Sequence, residues 1–351
     1  MSASTDTARP PGALMAAEIR EQPQALQRLL DEGTDAIRDV AERVAQHAPR
    51  FVLLAARGTS DHAALYAKYL IEIGLGLPAG LASPSTLTAY GSRPHFRDVL
   101  WIAVSQSGGS PDLVESTAAA RACGALTLAI TNAADSPLAG ESDLEVDVLA
   151  GPERAVAATK SYTSELLALY LLIDAWGGGD GARARELPGL AREVLERAVG
   201  TEVATRYRFV ERLVVTGRGY AYPTAREAAL KMMETSYLSA HAFSGADLMH
   251  GPLAMVDEDR PVIAVVPPGT GGEALAPVLD RLRDRAADVL VVGDERVAPW
   301  AAAAAPLPAT DERVAPVLQI LPLQQMAHAM AVARGYDPDA PRGLKKVTET
   351  R

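Results

Sequence analysis

Between Gly12 and Ala48 the apolar positions Leu26, Leu29, Leu30, Ile37, Val40 and Val44 recur mostly three, four and seven residues apart. One face of a helix collects such positions, so the stretch reads as helical, with Gly33 dividing it into two helices. Beyond it the period changes. Short apolar runs rich in β-branched residues, at 51–55, 99–104, 126–130, 213–216, 262–266 and 289–292, alternate with helical stretches. Runs of that length separated by helices predict βα units and a parallel sheet covered on both faces.

The runs also repeat in order. Leu53-Leu54-Ala55-Ala56-Arg57-Gly58-Thr59 is echoed by Val214-Val215-Thr216-Gly217-Arg218-Gly219-Tyr220, an offset of 161. The following helices carry Ala63-Ala64-Leu65 and Ala228-Ala229-Leu230, and run 101–104 repeats as 262–265 at the same offset. Two tandem copies of one doubly wound α/β unit account for this, chance likeness of short strand-turn segments being the alternative. The expected division is a loose N-terminus (1–12), a first unit (13–180), a second unit (181–335) and a tail (336–351). The seam falls at the Gly-Gly-Gly-Asp-Gly run 177–181, with a helix near 187–199.

Composition narrows the class. Apolar residues at 48% and charged residues at 22% exclude a disordered chain. The net charge of −10, with no basic block, argues against nucleic-acid binding. No apolar run approaches the ~18 residues of a membrane span, and nothing at the N-terminus resembles an export signal. The single cysteine, Cys123, allows no internal disulfide and no multi-thiolate metal site. A soluble cytoplasmic protein is expected.

Two groups of residues could carry chemistry. The loop after the second run reads Ser105-Gln106-Ser107-Gly108-Gly109-Ser110-Pro111-Asp112. Hydroxyls, glycines that admit close backbone approach, and a helix N-terminus together suit an anion cradle. An ordinary helix start, with Ser110 as cap and Pro111 first, fits as well. Thr59 and Ser60 lie at the equivalent end of the first run. In the second copy the serine loop becomes Val266-Pro267-Pro268-Gly269-Thr270, whose prolines lack N–H donors, so one phosphate site in the first half is expected.

The other group is Glu227, Lys231 and Glu234, which share one helix face at i, i+4 and i+7. Two carboxylates flanking an ammonium suit acid–base work. A capping box from Thr224 to Glu227 and a surface ion pair form the alternative. His250, before Gly251-Pro252, is either a catalytic or a structural histidine, and His241 carries less signal. The tail holds Lys345 and Lys346, two of only five lysines, where a solvated tail is the default.

In order, Arg57-Gly58-Thr59-Ser60, Ser105-Gln106-Ser107-Gly108, the stretch 151–160, the stretch 227–234 and His250-Gly251-Pro252 resemble the sugar isomerase (SIS) family, most closely the isomerase half of glucosamine-6-phosphate synthase. The resemblance begins at Met15 and covers nearly the whole chain. It implies two flavodoxin-like SIS domains with an N-terminal helical segment and a C-terminal active-site tail. It further implies a phosphate held by Ser105, Gln106, Ser107 and Ser110 with Thr59 and Ser60 beside it, and a sugar also contacted by Val156, Ala157 and Lys345. Glu234 matches the proton shuttle between sugar C1 and C2, and Lys231 a residue near the sugar hydroxyls. His250 matches a ring-opening histidine supplied by a neighbouring subunit, with Glu227 close to it. Lys346 matches a Schiff-base lysine in a tail that closes over the site.

Three positions depart from the family: Gly109 stands for an acidic residue, Ser110 for a threonine and Ala158 for a serine. The chain begins at the sugar half without the glutamine-hydrolysing domain. The expected activity is therefore deamination of glucosamine 6-phosphate to fructose 6-phosphate by a homodimer with a shared site, needing no metal or redox cofactor. A deglycase for 6-phosphorylated fructosamines and a non-catalytic sugar-phosphate sensor are the alternatives.

Overall fold

The computed structural model describes residues 9–346. Five strands, β1 (Phe51–Ala55), β2 (Ala79–Leu81), β3 (Val99–Ser105), β4 (Leu126–Thr131) and β5 (Leu144–Asp147), form a parallel sheet in the order β2-β1-β3-β4-β5. Five more, β6 (Arg212–Gly217), β7 (Ser239–Ser244), β8 (Val262–Val266), β9 (Val289–Gly293) and β10 (Ala303–Pro306), form a second parallel sheet in the order β10-β9-β8-β6-β7. Read from its other edge, the second order is the first one repeated. Leu53 pairs with Gly80 and Trp101, while Val214 pairs with His241 and Val262. Each partner is displaced by the same 161 residues, so the repeat extends to strand register.

All six predicted runs are strands, and they are the three inner strands of each sheet. The four strands without a predicted run, β2, β5, β7 and β10, are the edges. An inner parallel strand is buried on both faces and reads as a continuous apolar run, whereas an edge is short or broken by polar residues. The three residues of β2 and the Ala-Ala-Ala-Pro of β10 illustrate this.

The leading helical segment departs from expectation at Gly33. Helices Ala13–Arg20 and Gln22–Arg28 part at Glu21, just before Pro23, and a π-helical turn Leu29–Gly33 runs directly into helix Thr34–His47. Gly33 keeps helical dihedrals (φ −100°, ψ −21°), and a Cβ there would lie 2.6 Å from Leu29 Cδ1. The glycine serves close packing and not helix termination. Of the expected loose stretch 1–12, residues 1–8 lie outside the described residues. Gly12 is fixed, its N–H donating to Asp337 Oδ1 (2.9 Å), and Asp339 accepts from the N–H groups of Leu14 and Met15 (both 2.8 Å). Two carboxylates from the far end of the chain thus satisfy the free donors of the first helix.

One apolar core runs through both halves, joining Leu26 and Leu29 to Leu166–Ile173 and to Ile320 and Leu321 of the last helix, Ala315–Ala333. Among the described residues no helix is long and apolar enough to cross a membrane. A polar seam crosses this core. Buried Gln22 donates to Gln324 Oε1 (2.8 Å) and accepts from Thr163 Oγ1 (2.9 Å). Helix Lys160–Trp176 also places Glu165 behind the first helix of the sheet, where its Oε1 accepts from Ser60 (2.9 Å) and its Oε2 is buried without a partner.

Burial pushes the Glu165 carboxyl up to about 8; the Ser60 hydroxyl pulls it down, and Glu153 and Glu227 push it up again. Because this value lies above the ordinary 4.5, the group's contribution to stability is complete below pH 4.5 and is lost as pH rises towards about 8. Glu165→Gln keeps the acceptor for Ser60 and removes the titration. Its unfolding free energy relative to wild type should rise across that window by up to about 1 kcal/mol per pH unit, measured by urea titration. Gln22→Leu should cost about 1–3 kcal/mol in the same assay by orphaning Gln324, and adding Gln324→Leu should recover much of the loss.

Candidate active site

The order of the first sheet reverses between β1 and β3, and a cavity of about 310 Å³ opens at the carboxyl ends of these strands. Gly58 (φ +57°) turns the chain from β1 into helix Thr59–Leu70, which sets Thr59 and Ser60 in the cavity wall. After β3 come Ser105, Gln106, Ser107 and Ser110, all lining the same cavity. Gly108 (φ +60°) is required in this loop, since a Cβ would fall 2.2 Å from Ser136 Oγ. Ser105 Oγ accepts from Gly108 N–H (3.2 Å) and Ser107 Oγ from Gly109 N–H (3.3 Å), so the loop's own amides orient the hydroxyls.

Ser110 occupies the N-cap position of helix Pro111–Ala122, but its side chain makes no capping bond among the described residues. The local alternative, a plain capping serine, is thereby set aside. Two helix N-termini and five side-chain hydroxyls converge on one space, an arrangement suited to an anion. Arg57 adds a positive charge at the wall, its guanidinium held by buried Asp112 at 2.7 and 2.9 Å.

Glu234 enters this cavity from the second half, on helix Ala221–Ser236. Thr224 lies within that helix and its hydroxyl has no partner among the described residues, so there is no capping box. Nor is the Glu227–Lys231 pair a surface pair, since both residues are fully buried. Lys231 Nζ contacts Glu234 Oε2 (2.5 Å), Glu227 Oε1 (3.3 Å) and Thr59 Oγ1 (3.0 Å). Thr59 in turn donates to Glu227 Oε1 (3.1 Å). Burial alone would drive the proton off Lys231, but the two carboxylates outweigh it and hold the ammonium well above its ordinary range. The other oxygen of Glu227 bonds His62 Nδ1 (2.7 Å).

The tail supplies Lys345 and Lys346 to the cavity, beside Leu344. Lys346 Nζ bonds Glu153 Oε2 (2.7 Å), and Glu153 also accepts from the N–H groups of Thr159 (2.9 Å) and Ser161 (3.0 Å). Burial raises the Glu153 carboxyl, yet Lys346 and these donors leave it below the usual carboxylate range. Val156 lines the cavity as expected. Ala157 is buried, and Ala158 takes the lining position instead, at a bend of the chain over residues 155–157. Val347 and Thr348 lie outside the described residues.

His250 is not brought to this cavity. It is exposed at the end of helix Gly245–Met249, and within one chain the partner of Glu227 is His62. Sequence reasoning assigned no role to Arg57, His62, Glu153 and Glu165. Arg57 carried a signal, its repetition as Arg218 at the same offset; the others are polar residues whose depth only the fold reveals.

In the second half the corresponding position, at the start of helix Thr270–Arg283, is filled by the chain itself. Glu312 accepts from the N–H groups of Gly271 (2.8 Å) and Thr270 (3.1 Å). Among the described residues no three His, Cys, Asp or Glu side chains are grouped to hold a metal ion.

Comparison with known proteins agrees with this architecture. A glutamine–fructose-6-phosphate aminotransferase (isomerizing) of Methanothermobacter thermautotrophicus is 36% identical over 338 residues, 95% of this chain and 56% of that protein. Its counterpart in Pyrobaculum aerophilum is 37% identical over 346 residues, with the same coverage. The chain spans little more than half the length of these relatives. A Silicibacter pomeroyi protein proposed to be a phosphosugar isomerase superposes with a TM-score of 0.85 at 36% identity, covering 93% of this chain and 99% of that one. A glucosamine-6-phosphate deaminase of Thermotoga maritima shares the fold (TM-score 0.81, 23% identity, 96% and 100% coverage). The SIS domain matches twice, at residues 47–175 and 208–334, one match for each sheet, and the chain belongs to the SIS-domain family.

Proposed function

We propose that the chain is a phosphosugar isomerase that deaminates glucosamine 6-phosphate to fructose 6-phosphate and ammonia. The observation that carries this reading is that Ser105, Ser107 and Ser110 share one cavity with Glu234. A phosphate gripped by the serine loop and the two helix ends would direct the carbon chain across the cavity. Glu234, held in position by Lys231, would take the proton from C2 of the open-chain sugar and return it to C1 on the same face. The product is the C2 imine, which water converts to the ketone with release of ammonia. Lys346, at the rim, presents an amine suited to the carbonyl of the open-chain sugar.

Ring opening needs a further acid–base group at the ring oxygen. His250 serves in this proposal from a second copy of the chain, which makes the active unit a homodimer. The names of the relatives, an isomerizing aminotransferase of fructose 6-phosphate and a glucosamine-6-phosphate deaminase, support this substrate class. A deglycase acting on 6-phosphorylated fructosamines is the second reading, favoured by the small Ala158 in the cavity wall. The division into an N-terminal segment, two units (13–180 and 181–335) and a tail is part of the same proposal.

Purified protein given glucosamine 6-phosphate should release ammonia and fructose 6-phosphate in equal amounts. Glu234→Gln should lower kcat by about 10²–10⁴-fold with little change in KM, because the phosphate grip is untouched. Equal rates from the two proteins would remove Glu234 from its role, and faster turnover of a fructosamine 6-phosphate would select the deglycase. Glu234→Gln and His250→Ala chains, each inactive alone, should recover activity when mixed and allowed to exchange subunits; no recovery would count against the shared site.

A further inference from the structure

A second cavity, of about 280 Å³, lies at the carboxyl ends of β8, β9 and β10, apart from the site above. Its walls are largely apolar, with Pro268, Pro306 and Pro308 among them, and helix Ala315–Ala333 contributes Gln319. Gln319 is 1% exposed, and neither its Nε2 nor its Oε1 has a hydrogen-bond partner among the described residues. A buried carboxamide with both ends unmet is unusual, because each end forfeits its bond to water on folding. At the rim Asp294 and Arg296 neutralise each other through two bonds of 2.7 Å, and Glu295 adds a negative charge. Among the described residues that line it, no unpaired cation is left to draw in an anion.

We infer that this cavity binds a neutral, planar heterocycle bearing a donor and an acceptor side by side, the edge presented by a nucleobase. A glutamine amide turned toward the cavity by rotation of its side-chain torsions would meet such an edge with two parallel hydrogen bonds, as with the amino group and ring nitrogen of adenine. The prolines in the lining add apolar surface for a ring to pack against. The volume also fits, since a cavity of about 150 Å³ already admits a six-membered aromatic ring. The position, in a crevice beyond the carboxyl ends of parallel strands, is where such sheets take ligands.

The test is titration of the full chain with uridine, cytidine, adenosine and guanosine, followed by calorimetry and saturation-transfer NMR. At least one nucleoside should bind with a Kd below about 1 mM. Gln319→Leu should weaken it at least about tenfold while leaving sugar-phosphate turnover unchanged. Ala309→Trp, at the exposed rim, should block binding in the same way and decides the matter if the buried substitution fails to fold. The inference is overturned if no nucleoside binds the wild-type chain, or if binding is indifferent to both substitutions.

Discussion

The buried ammonium of Lys231 holds the two halves of the site in one geometry. It stands between Glu227 and Glu234 on its own helix and reaches Thr59, which belongs to the other half of the chain. A lone ammonium at that depth would be expelled or deprotonated; two carboxylates and a hydroxyl make it tolerable. Thr59 accepts from Lys231 and donates to Glu227, so the wall of the anion cradle and the helix bearing Glu234 form one hydrogen-bonded unit. Any displacement of helix Ala221–Ser236 relative to the serine loop must break these bonds. The spacing between the serine loop and the Glu234 carboxylate is thereby fixed by the fold.

Much of this was legible in the residues. The inner strands, the repeat and its offset, the serine loop and the Glu227–Lys231–Glu234 face all depend on local pattern, and local pattern is what a sequence displays. Edge strands escaped because a strand with one neighbour has less apolar surface to bury. Gly33 misled because a glycine needed for packing against Leu29 looks the same as one that ends a helix. The depth of Glu153, Glu165 and His62 arises from long-range packing, and nothing in their immediate neighbours announces it. The cap alternatives failed in different ways: Ser110 sits at a helix N-cap but makes no capping bond among the described residues, whereas Thr224 lies inside its helix, past the first turn's start at Ala221.

Duplication has been followed by division of labour. In the first half the cradle keeps its serines and faces a cavity; in the second, Glu312 occupies the equivalent helix start and the corresponding loop carries prolines. The second half instead lends the helix that follows β6, with Glu234 and Lys231, to the site of the first. Two similar sheets thus give one composite centre, and each half is incomplete without the other.

The caps that Asp337 and Asp339 place on the first helix also bear on the tail. The chain is held at Asp339 and again at Arg342, whose N–H donates to Tyr237 Oη (2.9 Å) and whose guanidinium lies 3.8 Å over that ring, so Lys346 hangs from a tether of four residues that reaches no farther than about 14 Å even when fully drawn out. A lysine confined to so small a sphere stays at high effective concentration near the cavity whether or not Glu153 is holding it at that instant. The anchors at Asp339 and Arg342 therefore set how far the amine at the end of the tail can stray from the cavity.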